Sequence, residues 1–430
     1  MILSVRVNNF LVYSNEVELS LIADMRIKKF RSNVYNINKF NILKSLCIYG
    51  ANNSGKTCLL RAINSIRNVL LGFPAEVPPN LYSNNLICSF GISFVEGDRV
   101  FSYDFNFDSE IINNYRKGFT YECLKELSAD KHGNVQEKEL FIRDSINDVY
   151  RFEEDKNLGQ MLASVSTDNI LIYTINTLKF PVVEKYKNIL RTFASKIQIV
   201  DMNNIPMEKT INVFKNDENI REKTVELIKL ADLDIEDYTY LKNDNYSNNR
   251  KIANNNSPTP QEIVLRASVL IDDMNRLTSI HRGKAVQSMA FDSTGTKKIV
   301  ALASYIIEAL TKGNILIIDE LDSSLHFKLT RALVSLFNNE VNEKAQLIFT
   351  AHDVTLLDCK KLFRKDQIWF ASKDSDREYL YSLADFNYAD SGVRAESDLF
   401  EKYNSGVLGA IPEPDLISVL LSDKRKENQR

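Results

Sequence analysis

Residues 50–57 read Gly50-Ala51-Asn52-Asn53-Ser54-Gly55-Lys56-Thr57, two glycines five positions apart followed by a lysine and a hydroxyl residue. That spacing works only if a buried strand leads into the loop and a helix leads out of it. The flanks meet both conditions. Ile42-Leu43-Lys44-Ser45-Leu46-Cys47-Ile48-Tyr49 is a largely apolar run, and Leu59, Ile63, Ile66 and Leu70 recur at helical spacing. Gly50 and Gly55 permit backbone angles that a side chain opposes. Backbone N–H groups of the loop then converge on phosphate oxygens, and the helix N-terminus adds positive potential. Lys56 is expected to reach the β and γ phosphates and the Thr57 hydroxyl to ligate Mg2+. The whole stretch, with Ala51, Asn52, Asn53 and Ser54, is the expected cradle for a nucleoside triphosphate.

Three later segments have the chemistry to complete that site. Asn314-Ile315-Leu316-Ile317-Ile318-Asp319-Glu320 is an apolar run ending in two carboxylates. A buried strand there brings Asp319 to the sheet edge, where it can orient Mg2+, and places Glu320 one residue on to polarise an attacking water. Acids at a strand end also cap the following helix, so the reading depends on the loop upstream. Gln346-Leu347-Ile348-Phe349-Thr350-Ala351-His352 is a second apolar strand, ending in a histidine suited to hold the γ-phosphate and the water. Asp292-Ser293-Thr294-Gly295-Thr296-Lys297-Lys298 precedes a helical stretch, Ile299 to Leu310. Hydroxyls and a glycine at a helix start make a second anion site, although taken alone they read as an ordinary cap.

The order of these segments resembles the ABC-type ATPases, in the branch of SMC, RecF and OLD-like proteins. Within it the chain is similar to the stand-alone AAA ATPase subunits of bacterial abortive-infection and antiphage systems, the AbiL, RloA, PtuA and AriA types. The resemblance spans most of the chain. It rests on Asn9-Phe10, the phosphate loop, Ser293-Thr294-Gly295-Thr296-Lys297, Asp319-Glu320 with Ser324-Leu325-His326, Phe349-Thr350-Ala351-His352-Asp353, and a late Glu401-Lys402-Tyr403 with Gly406 and Gly409-Ala410-Ile411-Pro412. It implies an α/β fold of the ABC-type P-loop ATPase kind, with a β meander subdomain and a helical insertion. It implies ATP and Mg2+ as ligands and hydrolysis of ATP to ADP and phosphate, with Glu320 and His352 catalytic and Thr57 and Asp319 on the metal. It also implies two protomers closing head to tail on ATP. Ser293, Gly295 and Thr296 of one then contact the nucleotide held by Lys56 of the other, with Asp322 in the loop linking the sites. Relatives of this kind control an effector partner, often a nuclease or a TOPRIM-like protein. The chain departs from the transporter pattern: Thr296 stands where its signature has a second glycine, Phe327 stands where relatives carry proline, and no glutamine of the lobe-linking loop can be placed.

The remaining sequence bounds the alternatives. A chain of 430 residues with 44% hydrophobic residues holds one large domain with insertions, or two to three small ones. The expected division is 1–155, a nucleotide lobe with its β meander; 156–284, a helical insertion; and 285–430, the signature helix, acidic strand and switch histidine. Residues 2–20 read as a strand pair, 86–152 as β-rich, 157–232 as helical and 242–260 as a flexible loop. A net charge of −3 announces no nucleic acid, which stays a possible partner only. The basic stretches Arg26 to Arg31 and Lys360 to Lys365 read as solvated faces. Five cysteines without Cys-x-x-Cys spacing, no signal peptide and no bilayer-length apolar run point to a reduced, cytoplasmic protein away from membranes. Other functions weighed are DNA repair or nucleic-acid processing, a transporter motor, a non-hydrolysing ATP-bound scaffold and a self-contained nuclease. The nuclease needs a late acidic pair such as Asp374 and Asp376, which reads better as a charged hairpin turn.

Overall fold

The computed structural model describes residues 1–411, apart from 75, 113–114, 131–133, 156, 160–165, 175–179, 232–233, 242–258, 374–377, 387–391 and 394–396. The chain opens with β1 (Ile2–Asn8) and β2 (Val17–Ser20), then β3 (Val34–Ile37), β4 (Phe40–Leu43), β5 (Ser45–Tyr49) and helix α1 (Lys56–Leu71). Four long strands and a short one follow: β6 (Ile87–Glu96), β7 (Arg99–Ile112), β8 (Tyr115–Ala129), β9 (Val135–Asp144) and β10 (Val149–Phe152). Next come α2 (Pro181–Ser195), β11 (Ile197–Asp201), α3 (Glu208–Asn216), α4 (Glu218–Leu230), β12 (Asp237–Tyr240), α5 (Pro260–Asn275), β13 (Leu277–His281) and β14 (Lys284–Gln287). The last third holds α6 (Thr294–Lys312), β15 (Ile315–Asp319), α7 (Phe327–Phe337), β16 (Gln346–Thr350), β17 (Ile368–Lys373) and β18 (Glu378–Ser382). The fold is mixed α/β.

The functional sheet has the order β11-β15-β16-β5-β17-β18 and is parallel except for the final hairpin pair. Its central strands are apolar almost without interruption because both faces are covered. Alternation sorts their side chains. Leu46, Ile48, Ile315, Ile317 and Ile348 pack with Leu59, Ile63 and Ile66 of α1. Cys47, Tyr49, Leu316, Ile318, Leu347 and Phe349 pack with Leu302 and Ile306 of α6 and Leu333 and Phe337 of α7. Each such aliphatic side chain stabilises the fold by about 1.5–3 kcal/mol, so the strand ends that carry the site's polar groups sit on a well-packed base.

The β meander continues β1 and β2 into one antiparallel sheet of order β10-β9-β8-β7-β6-β1-β2. Phe94 of β6 stacks on Phe193 of α2 with ring centroids 3.9 Å apart, tying that sheet to the helical layer beneath. Inside it Glu122 and Arg143 form a buried ion pair. The Glu122 carboxylate also accepts the Tyr103 hydroxyl at 2.6 Å and the Leu171 N–H at 3.1 Å.

Several sequence expectations change. Residues 197–201, inside the stretch read as helical, form β11, paired parallel to β15 with Asp201 opposite Asp319. The apolar run before the phosphate loop is two strands, β4 and β5, separated at Lys44. The reading of 360–365 as a solvated face fails at Arg364, which is 2% exposed. Its guanidinium pairs with Asp366 at 2.7 Å and donates to the carbonyls of Asp24, Ile27 and Lys29. Burial is tolerable because the donors of the fork have partners. Most of the loop 242–260, Pro412, and the Asp374-Ser375-Asp376 segment lie outside the described residues. Lys373 and Glu378, on either side of that last segment, pair across β17 and β18. Among the described residues no helix is long and apolar enough to cross a membrane.

Candidate active site

The phosphate loop leaves β5 and enters α1 as the spacing requires. Gly50 has φ 154° and Gly55 φ 101°. A Cβ on Gly50 would lie 2.2 Å from the Ala371 carbonyl oxygen of β17, and one on Gly55 would lie 2.7 Å from the Tyr13 hydroxyl. Tyr13 is fully buried and donates that hydroxyl to the Gly55 carbonyl at 3.0 Å, so the loop rests on the turn between β1 and β2. Gly55 caps α1 with no side-chain cap bond, so the first N–H groups of the helix have no intrahelical partners.

Lys56 is 6% exposed, and its ammonium donates to the carbonyls of Gly50 at 2.6 Å and Ala51 at 2.9 Å. Burial holds its pKa below the ordinary lysine value, against the raising pull of Asp319, Glu320 and Asp322. The Ser54 hydroxyl, also buried, has no hydrogen-bond partner among the described residues.

A cavity of about 270 Å³ opens beside the loop, lined by Asn52, Asn53, Ser54, Gly55, Lys56, Thr57, Cys58, Arg61, Asp319, Glu320 and His352. Residues 262 positions apart meet here: Thr57 Oγ1 lies 2.8 Å from Asp319 Oδ2. Gly50 and Ala51 stand behind the lining and act through their carbonyls. Glu320 follows Asp319 in the left-handed region, φ 55°, a conformation that strains a non-glycine residue and turns its side chain into the cavity. His352 Nε2 is 3.8 Å from Glu320 Oε1, beyond direct hydrogen-bond reach.

The acidic loop is fastened to the end of β16. Thr350 Oγ1 donates to Asp319 Oδ1 at 2.6 Å and accepts the Glu320 N–H at 2.7 Å. Asp322 turns its carboxylate onto the N–H groups of His352 and Asp353. It therefore sets the position of the histidine and does not line this cavity. Asn203, in the loop after β11, donates its amide to Glu320 Oε2 at 2.8 Å.

The signature segment lies elsewhere. Ser293 caps α6, accepting the Thr296 N–H at 3.1 Å. With Gly295, Thr296, Ser324, Leu325 and His326 it lines a separate cavity of about 600 Å³ that shares no lining residue with the first. The structure thus gathers Asn52 to Thr57, Asp319, Glu320 and His352 into one cleft and leaves Ser293, Gly295 and Thr296 outside it.

Tyr13, Arg61, Asn203 and Thr350 belong to the site without having been singled out in the sequence. Thr350, the one hydroxyl in β16, was the legible one: a hydroxyl closing an apolar strand next to acids is a ready hydrogen-bond hub. Asn203 was hidden by the missed strand β11.

Mg2+ is tested by the donor set. Among the described residues no cluster of three or more His, Cys, Asp or Glu can cage a metal. Mg2+ needs no cage, since one or two protein oxygens suffice when phosphates and waters fill the octahedron. The adjacent Thr57 and Asp319 oxygens fit that demand.

By fold the chain is similar to the "SMC head domain from Thermotoga maritima", at 11% identity over 89% of this chain and 98% of that one, with a TM-score of 0.40. It is similar also to an Smc head bound to the C-winged helix domain of ScpA, at 12% identity over 89% and 97%, TM-score 0.41. A third is an Smc head with an extended coiled coil bound to the C-terminal domain of ScpA from Pyrococcus furiosus, at 12% identity over 89% and 96%, TM-score 0.38. No curated protein matches the chain. A family model described as "AAA domain, putative AbiEii toxin, Type IV TA system" matches residues 45–358, which include the phosphate loop, the signature segment, Asp319, Glu320 and His352. With nearly three quarters of its length matched and those residues in place, the chain belongs to this family of AAA-type P-loop ATPase domains.

Proposed function

We propose that this protein is an ABC-type ATPase that hydrolyses ATP as the switch subunit of a bacterial antiphage defence system and controls a partner effector, a nuclease or TOPRIM-like protein. The observation that carries the ATPase reading is the meeting of Thr57, Asp319, Glu320 and His352 around Lys56 in one cleft. The loop N–H groups and Lys56 bind the phosphates. Thr57 and Asp319 would hold Mg2+, which when bound neutralises phosphate charge and orients the terminal phosphate. Glu320, held by Asn203, takes the proton from the attacking water, and His352 donates a hydrogen bond at the terminal phosphate.

The signature segment lies outside this cleft, which supports closure by a second copy. Ser293, Gly295 and Thr296 of one protomer then meet the nucleotide of the other, and the Asp322 loop lies between the two sites. ATP is bound more tightly in the closed dimer than in the open one, so it biases the closed state and hydrolysis releases it. The three-part division 1–155, 156–284 and 285–430 assigns the nucleotide lobe, the insertion and the signature region to that cycle. The defence role is supported by the toxin–antitoxin wording of the family description and by the resemblance to abortive-infection ATPases. Phage plating on cells expressing the chain with its neighbouring genes tests it. Protection by wild type that is lost in Lys56→Ala, with an effector retained on tagged Glu320→Gln during infection, is the expected result. Equal plating on wild type and Lys56→Ala removes the defence role.

A further inference from the structure

The Glu320 carboxylate has one donor on each side. His352 is 3.8 Å from Oε1, while Asn203 Nδ2 is 2.8 Å from Oε2. Only the second is a hydrogen bond. Asn203 is in turn held at both ends. Its N–H donates to the Asp201 carboxylate at 2.8 Å, and its amide oxygen accepts the Ser323 hydroxyl at 3.3 Å. The base of this arrangement is the β11–β15 register, with Asp201 opposite Asp319 and the Met202 N–H on the Asp319 carbonyl at 3.1 Å. Lys298 of the signature helix reaches the same turn, 3.1 Å from Ser324 Oγ and 3.5 Å from Ser323 Oγ.

We infer that Asn203 is a positioning residue for the hydrolytic step: its amide N–H aims the Glu320 carboxylate, and its amide oxygen ties that carboxylate through Ser323 to the turn that the signature helix contacts. This rests on the reading of Glu320 as the group that activates water. Glu320 sits on a strained backbone and is partly exposed, so without a fixed partner its side chain samples several rotamers. Misplacement of a reacting group by about 1 Å costs on the order of a hundredfold. Asn203 does not line the cavity itself, so it prevents that loss through Glu320. The amide is used in both senses, donor to a carboxylate and acceptor from a hydroxyl, and an ionised aspartate supplies only the second.

The test compares Asn203→Ala with Asn203→Asp in steady-state ATP turnover, with ATP affinity measured separately on each. Asp keeps the size and the Ser323 contact but removes the donor and sets a second negative charge against Glu320. The expected result is a fall in kcat of roughly tenfold to a hundredfold for Asn203→Ala, with ATP affinity within about twofold of wild type. Asn203→Asp falls at least as far. In a Glu320→Gln background, Asn203→Ala changes the residual turnover by less than about twofold, because the two residues act as a unit. Retained ATP binding shows that each variant is folded. Turnover of Asn203→Asp above that of Asn203→Ala assigns Asn203 to packing and overturns the inference, as do two variants with wild-type kcat. Wild-type turnover no higher than that of Lys56→Ala removes the hydrolytic reading and the inference with it, whereas active wild type with unaffected Asn203 variants removes the inference alone.

Discussion

The Thr350 hydroxyl donates to Asp319 Oδ1 at 2.6 Å and so locks the end of β15 to the end of β16. The same oxygen accepts the Glu320 N–H, which fixes the turn where the acidic pair leaves the sheet. Thr350→Val keeps the shape and removes both bonds, leaving a carboxylate oxygen and an N–H without partners. The expected cost is about 1–3 kcal/mol of stability, with kcat down by roughly tenfold and ATP affinity little changed. Denaturant unfolding and steady-state turnover on one preparation check both parts.

Gly50→Ala drives a methyl into the Ala371 carbonyl, 2.2 Å from where its Cβ would sit. The obstacle is backbone of β17, so it does not yield easily. We expect ATP binding to be lost and stability to fall by about 1–3 kcal/mol. A Gly50→Ala protein that binds ATP as wild type does contradicts the close approach of loop and β17.

Far from the site, Arg143→Met leaves Glu122 buried without its cation. Removal of one partner from such a pair costs about 3–5 kcal/mol. Burial already holds the Glu122 carboxyl above its ordinary 4.5, against the lowering pull of Arg143 and of the hydrogen bonds from Tyr103 and Leu171. A raised folded-state pKa contributes stability that is fully present below 4.5 and is lost as pH rises through the folded value. Without Arg143 that value rises further, so the deficit of Arg143→Met is expected to shrink as pH falls from 7 toward 5. Urea unfolding across that range reads it, and a deficit that grows on acidification contradicts it.

The signature cavity gives a prediction about association. Gly295 lies under the Ser324 carbonyl, 3.2 Å from the position of an added Cβ. Glu320→Gln is expected to roughly double its mass by light scattering on addition of ATP and Mg2+, and Gly295→Glu in that background to stay at the smaller mass. The same mass for both with ATP removes the trans role of this segment.

The fold was legible where periodicity and punctuation were strong. The strand, glycine loop and helix around Lys56 read directly because buried parallel strands are apolar throughout and α1 carries a clear 3.6-residue stripe. Asp319, Glu320 and His352 were legible as polar ends of such strands. β11 was not: its five residues, Ile197 to Asp201, sit between helices and are too short to show a period of their own. Missing it hid Asn203, whose contact with Glu320 spans 117 residues. Arg364 looked like one more charge in a basic run, because only the folded chain brings the carbonyls of Asp24, Ile27 and Lys29 around it. Tyr13 carried no local sign of its place beneath Gly55.

The central claim is that Lys56, Thr57, Asp319 and Glu320 form one hydrolytic site. ATP binding and ATP turnover measured side by side on wild type, Lys56→Ala and Glu320→Gln test it most directly. The account predicts turnover by wild type, no ATP binding by Lys56→Ala, and ATP binding by Glu320→Gln with turnover reduced by a hundredfold or so, the usual order for loss of a general base. Turnover retained in both variants contradicts it.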